Sequence, residues 1–250
     1  VVQSLNWWKT TLQPVKLVLA NRTGLLLPAV IFMLSYGAGI GSMSILMPLY
    51  AKLDEFSMSD FDIGLMTSVA MGCRWIWLSC VVPAIAPLFD GPGARSERMI
   101  ACIGCLSGAI TVSAYGIATT SNELWALEVL SATSVMALPA LRSYMSLGTG
   151  PAAQGTVLCV IANIETFSQL CMPLLVGSAY SMTVKTSVPG AAYFVCGLFA
   201  VAAFFLARTL PPTTYRYQEC DEASPEDARA HDREDSGGSG FLRVPSTAKG

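Results

Sequence analysis

Charge is what this sequence has least of. Asp, Glu, Lys and Arg make up 13% of its 250 residues, against about 25% in soluble globular domains. The net charge is −2, so the basic footprint that a nucleic-acid binder needs is missing. Histidine is nearly absent as well. The single one, His231, falls in a polar segment and reads as a solvated side chain, and no histidine lies in any apolar run. Histidine-based metal centres and paired nucleophile–base motifs therefore have nothing to be built from. No Gly-x-x-x-x-Gly-Lys-Ser/Thr run occurs, which removes the common phosphate cradle of an ATP-driven machine. The chain opens on Val1, without methionine and without the pattern of a cleavable leader, and is expected to be a fragment of a longer protein.

What the sequence has in abundance is long apolar runs. Residues 24–50, 63–88, 99–120, 124–147, 155–180 and 190–207 are almost free of charge, and a helix of ~20 apolar residues matches the ~30 Å hydrocarbon core of a bilayer. The runs are continuous rather than alternating, and only helices or closed barrels satisfy every backbone amide in lipid. The expected fold class is an all-α membrane protein of six transmembrane helices. The domain reading has three parts: a linker over 1–23, a six-helix domain over 24–207, and a disordered cytoplasmic tail over 208–250. The tail collects Glu219, Asp221, Glu222, Glu226, Asp227, Asp232, Glu234 and Asp235 before Gly237-Gly238-Ser239-Gly240, a composition too polar to offset ordering entropy.

Eight cysteines do not make a framework. Seven fall inside the apolar runs, and Cys102-x-x-Cys105 has the spacing of a zinc or redox pair but no second pair to complete it. Buried cysteines acting as small apolar residues are expected, with no metal and no cofactor. Gly37 and Gly41, one helical turn apart, read as a close-packing device between helices.

Orientation follows the basic residues. Lys9, Lys16, Arg22, Arg95, Arg98, Arg142, Arg208 and Arg216 fall on one side of the predicted spans, and only Lys52 and Lys185 on the other. Cytoplasmic loops carry the basic excess, so both termini are expected in the cytoplasm. The membrane itself, plasma membrane or an endomembrane, is left open.

Four ionisable residues lie inside the spans: Arg74, Glu128, Arg142 and Glu165. A charge at the bilayer centre costs at least ~2.5–3.5 kcal/mol, so each needs a partner or a polar cavity. Arg74 and Glu165 lie ~16 Å and ~15 Å from the starts of their spans at 1.5 Å per residue, which gives them one depth. They are expected to face a common midplane cavity, Arg74 recognising an anionic group and Glu165 taking up a proton, or else to form a structural ion pair. Glu128 and Arg142 lie nearer the ends of their span, where anchoring at an interface is as good a reading. Gln169 shares a helical face with Glu165, and Trp77 is placed to stack on Arg74. The third and sixth spans hold no charge and read as lipid-facing scaffold.

The connection between the second and third spans reads Asp90-Gly91-Pro92-Gly93-Ala94-Arg95. It resembles the cytoplasmic signature loop of the major facilitator superfamily, in the copy belonging to the C-terminal half, with Ala94 standing where the pattern has a first basic residue. Phe56-Ser57-Met58-Ser59-Asp60-Phe61-Asp62-Ile63-Gly64 is similar to the family's link between its seventh and eighth helices. Ala153-Gln154-Gly155, with Gly177-Ser178-Ala179-Tyr180 and Pro189-Gly190, resembles the closing helices of the proton-coupled folate transporter branch. The resemblance implies six helices of twelve and a partner N-terminal half outside this chain. It also implies a pathway lined by the first, second, fourth and fifth helices, walled by the third and sixth. The function expected is secondary active transport, by symport with protons, of a small polar or anionic organic solute. The alternatives are a non-transporting membrane scaffold or receptor, and, less well supported by the residues, an intramembrane enzyme.

Overall fold

A computed structural model describes residues 25–89, 94–149, 154–186, 188 and 190–211. The linker over 1–23, Asp90 and Gly93 of the signature loop, and the tail beyond Pro211 lie outside the described residues. The chain is an all-α membrane protein, with no strand among the described residues. Six helices are long and apolar enough to span a bilayer: α1 (Leu27–Tyr50), α2 (Asp60–Phe89), α3 (Arg95–Tyr115), α4 (Ser121–Leu147), α5 (Gln154–Thr183) and α6 (Ala191–Arg208).

Polar residues set where these helices begin. Ser59 accepts the Asp62 amide while Asp62 accepts the Ser59 amide, a reciprocal cap that starts α2 three residues ahead of the apolar run. Thr120 and Glu123 do the same for α4, where Glu123 also accepts the Thr119 amide at 2.7 Å. Three helices depart from α geometry at their middles. α1 is π-helical over Ile40–Leu46, α2 over Trp77–Val81, and α4 tightens to a 3-10 turn over Ala132–Met136.

The helices meet where side chains are small. α3 packs most extensively on α6, and a β-carbon on Gly116 would stand 2.9 Å from the Gly190 carbonyl oxygen. Gly37 and Gly41 of α1 receive Met172 and Val176 of α5, so this glycine pair is the packing device its spacing suggests. One end of the bundle is filled by a tyrosine cluster. Tyr115 stacks on Tyr193 at 5.4 Å, and Tyr193 meets Tyr50 edge-on at 5.2 Å. The other end is tied by Tyr144, whose hydroxyl donates to the Pro211 carbonyl at 2.8 Å, and by Arg98, which donates to the carbonyl of Arg208. α2 stands apart. Only 6% of its spanning window is buried, against 44% in α1, α3 and α4.

The seven described cysteines are all unbridged, Cys102, Cys105 and Cys196 within the packed interior. No cluster of three or more metal-ligating side chains occurs among the described residues.

Candidate functional site

A cavity of about 420 Å³ opens between α1, α2, α3 and α4, within the range of small-molecule pockets. Its walls follow from the irregular helix segments. The π stretch of α1 brings Ser42, Met43 and Ser44 to it, and the 3-10 turn of α4 brings Ser134 and Val135. α3 contributes Gly104, Cys105 and Gly108, small residues that leave room. Several hydroxyls on the wall donate to their own helices: Ser42 to the Ala38 carbonyl at 2.8 Å, Thr67 to that of Ile63 at 2.8 Å, Ser134 to that of Ser131 at 2.7 Å. Their donors being engaged, these oxygens present acceptor lone pairs to a solute.

The two ionised groups on the wall are Arg74 and Glu128. Arg74 Nη2 lies 3.4 Å from Glu128 Oε1 and donates to Ser131 Oγ at 3.2 Å. Its Nη1 meets only the Met71 thioether, at 3.7 Å. Glu128 is 4% exposed and also accepts the hydroxyl hydrogen of Tyr115. Ser131 donates in turn to the Glu128 backbone carbonyl at 2.7 Å. An acid at membrane depth is thus held by a cation, a phenol and a bound helix turn.

The expected pairing of Arg74 with Glu165 does not form. Equal depth does not fix which way a residue faces, and α4 packs on both α2 and α5. Arg74 therefore finds its acid on α4, while Glu165 pairs with Arg142, also of α4, whose guanidinium lies over the Phe32 ring at 5.5 Å. Glu128 is consequently no interface anchor but the most buried of the four. Trp77 does not stack on Arg74. The cation–ring contacts among the described residues belong to Arg142 and Arg208, and the Trp77 indole N–H has no hydrogen-bond partner there.

The wall also differs from the expected one. α3 lines the cavity although it carries no charge at that depth, and α5 reaches it only indirectly, through Gln169 Nε2 donating at 2.9 Å to the hydroxyl of Tyr36, a cavity residue. Arg142 and Glu165 lie outside the lining. Arg95 is exposed at the head of α3, away from the cavity. Tyr115 and Ser131 were not legible as partners of the acid. The only sequence signal for Tyr115 is that a connection of five residues brings the end of α3 back beside the start of α4.

The geometry defines a multi-pass membrane protein with a polar cavity between its helices. Over 110 residues the chain is 28% identical to a protein of Escherichia coli described as "Tetracycline resistance protein, class E". The matched stretch is 44% of this chain and 27% of that protein, so the chain spans about a quarter of the relative's length. No family model matches the chain, and no solved structure matches it.

Proposed function

We propose that this chain is the C-terminal six-helix half of a major facilitator superfamily transporter, and that the whole protein moves a small polar or anionic organic solute by alternating access, coupled to protons. The observation that carries the reading is the cavity itself. It lies at membrane depth, is walled by acceptor hydroxyls, and holds a buried Arg74–Glu128 pair. Intramembrane charges of this kind mark solute and ion paths. The signature-loop motif and the partial likeness to a tetracycline resistance protein support the same class.

The thin burial of α2 fits a face turned toward an N-terminal half. Symport is the mode consistent with a solute anion and a proton meeting at one ion pair. The branch resembling the proton-coupled folate transporter rests on the closing-helix residues alone. The chain is read as a transporter part rather than an enzyme, both termini cytoplasmic, in the plasma membrane or an endomembrane.

The test is transport. Proteoliposomes holding the full-length protein should accumulate members of a radiolabelled panel of small organic acids when a proton gradient is imposed, and lose that accumulation when a protonophore collapses it. Accumulation of none of the panel above empty liposomes would end the proton-coupled reading.

A further inference from the structure

We propose that the Arg74–Glu128 pair is an exchange site in which the carboxylate of a monoanionic solute replaces Glu128 as the partner of Arg74, and does so only when Glu128 has taken up a proton. The inference rests on the transport reading and names its solute class and its stoichiometry.

The first argument is the poor satisfaction of Arg74. Guanidinium–carboxylate pairs favour two parallel N–H···O bonds of about 2.7–2.9 Å. Here one nitrogen is shared between Glu128 at 3.4 Å and Ser131 at 3.2 Å, and the second faces a thioether, a weak acceptor. The guanidinium holds its acid at one corner and turns its other nitrogen to Met71, itself on the cavity wall. A planar carboxylate entering the cavity offers what Glu128 does not, two oxygens to two nitrogens.

The second argument is the charge that the site tolerates. At membrane depth neither ion stands alone without a cost of several kcal/mol. Arg74 balances one negative charge, either Glu128 or the solute. With the solute bound, Glu128 would be an uncompensated buried anion, so it is protonated by one proton from solution. No bond other than that O–H forms, and the pair as a whole gains one anion and one proton, so its net charge is unchanged.

The groups facing Glu128 allow this. Arg74 approaches from α2 and the Tyr115 hydroxyl from α3, and that phenol donates equally well to a carboxylate or to the carbonyl oxygen of the acid. Behind Tyr115 stand Tyr193 of α6 and, beyond it, Tyr50 of α1, both neutral phenols. Tyr36 and Cys105 are the further titratable side chains on the cavity wall. None of these supplies a second cation. A dianion is therefore a poor fit, and a monocarboxylate a good one.

Binding tests the exchange apart from transport. Detergent-purified full-length protein is titrated with benzoate, and with benzamide as its uncharged analogue, between about pH 5.5 and about pH 8. If one proton accompanies the anion, the Kd for benzoate changes by up to about tenfold per pH unit, tighter in acid, while any benzamide binding stays flat. Glu128→Gln, which keeps the size of the side chain, should bind benzoate at about pH 8 as tightly as the wild type does at about pH 5.5, with no dependence on pH. Glu128→Asp should restore the dependence.

A wild-type Kd for benzoate that is flat with pH overturns the exchange, with no variant required. So does monodisperse Glu128→Gln protein that binds benzoate no better than wild type at about pH 8. The two readings separate cleanly. Gradient-driven uptake with flat binding sinks the exchange and spares transport. Proton-linked binding without uptake does the reverse.

Discussion

Gly104 of α3 lies so close to Ala137 of α4 that a β-carbon on the glycine would stand 2.6 Å from the Ala137 amide nitrogen. That contact draws together the two helices that hold Tyr115 and Glu128. One turn further on, Gly108 has Ser134 Cβ at 3.4 Å from the same imagined atom, an ordinary contact. Gly104→Ala should therefore destabilise the purified protein by about 1–3 kcal/mol, the usual cost of overpacking, and Gly108→Ala by much less. Thermal unfolding in detergent reads the difference. Equal midpoints for the two variants would mean that the helices part easily.

The Arg74–Glu128 pair gives a double-mutant cycle. Its side chains are 16% and 5% exposed, so breaking it leaves a buried charge uncompensated. Arg74→Met and Glu128→Gln should each cost about 3–5 kcal/mol of stability, and the double variant far less than their sum, since neither charge remains. Additive losses would show the two residues to be independent. Added benzoate should recover part of the loss in Glu128→Gln, where Arg74 lacks an anion.

Arg142 and Glu165 tie α4 to α5, outside the cavity. Charge reversal at one position alone places two like charges side by side at membrane depth, and either single reversal should sharply lower the yield of folded protein. The double variant Arg142→Glu with Glu165→Arg should regain most of it. Failure to regain would mean that the stacking of Arg142 on Phe32, and not the charge pair, holds this contact.

Lys52 and Lys185 lie in the connections at one end of the bundle, Lys52 paired with Asp60 at 2.7 Å. With the basic excess at the opposite end, cysteines placed at both positions should react with an impermeant maleimide in intact cells. Labelling of both only after permeabilisation would invert the orientation.

The helices were legible in the sequence because length and apolarity are one-dimensional properties. α2 and α4 begin slightly ahead of their apolar runs, at Asp60 and Ser121, because the capping residues Ser59 and Thr120 are polar and a hydrophobicity reading passes over them. The four intramembrane charges were legible for the same reason, since each interrupts an apolar run. Their pairing was not. Depth can be counted from a helix start, but the direction a side chain faces depends on accumulated twist, and both α2 and α4 break their α winding within their lengths. The part played by α3 was hidden for a different reason: Gly104 and Gly108 contribute to the cavity by what they lack.

The seven π-helical residues of α1, Ile40–Leu46, have a consequence for how this chain tolerates change in length. A π segment is in effect an α-helix that has absorbed an added residue without disturbing its flanks. Removing one residue there should return α1 to uniform winding, with Ser35 and Tyr36 before it and Met47 and Tyr50 after it still meeting their present neighbours. A membrane helix is ordinarily the last place to accept a deletion. In α1 the one tolerated site coincides with a cavity wall, so a single lost codon would reshape the chamber while sparing the scaffold.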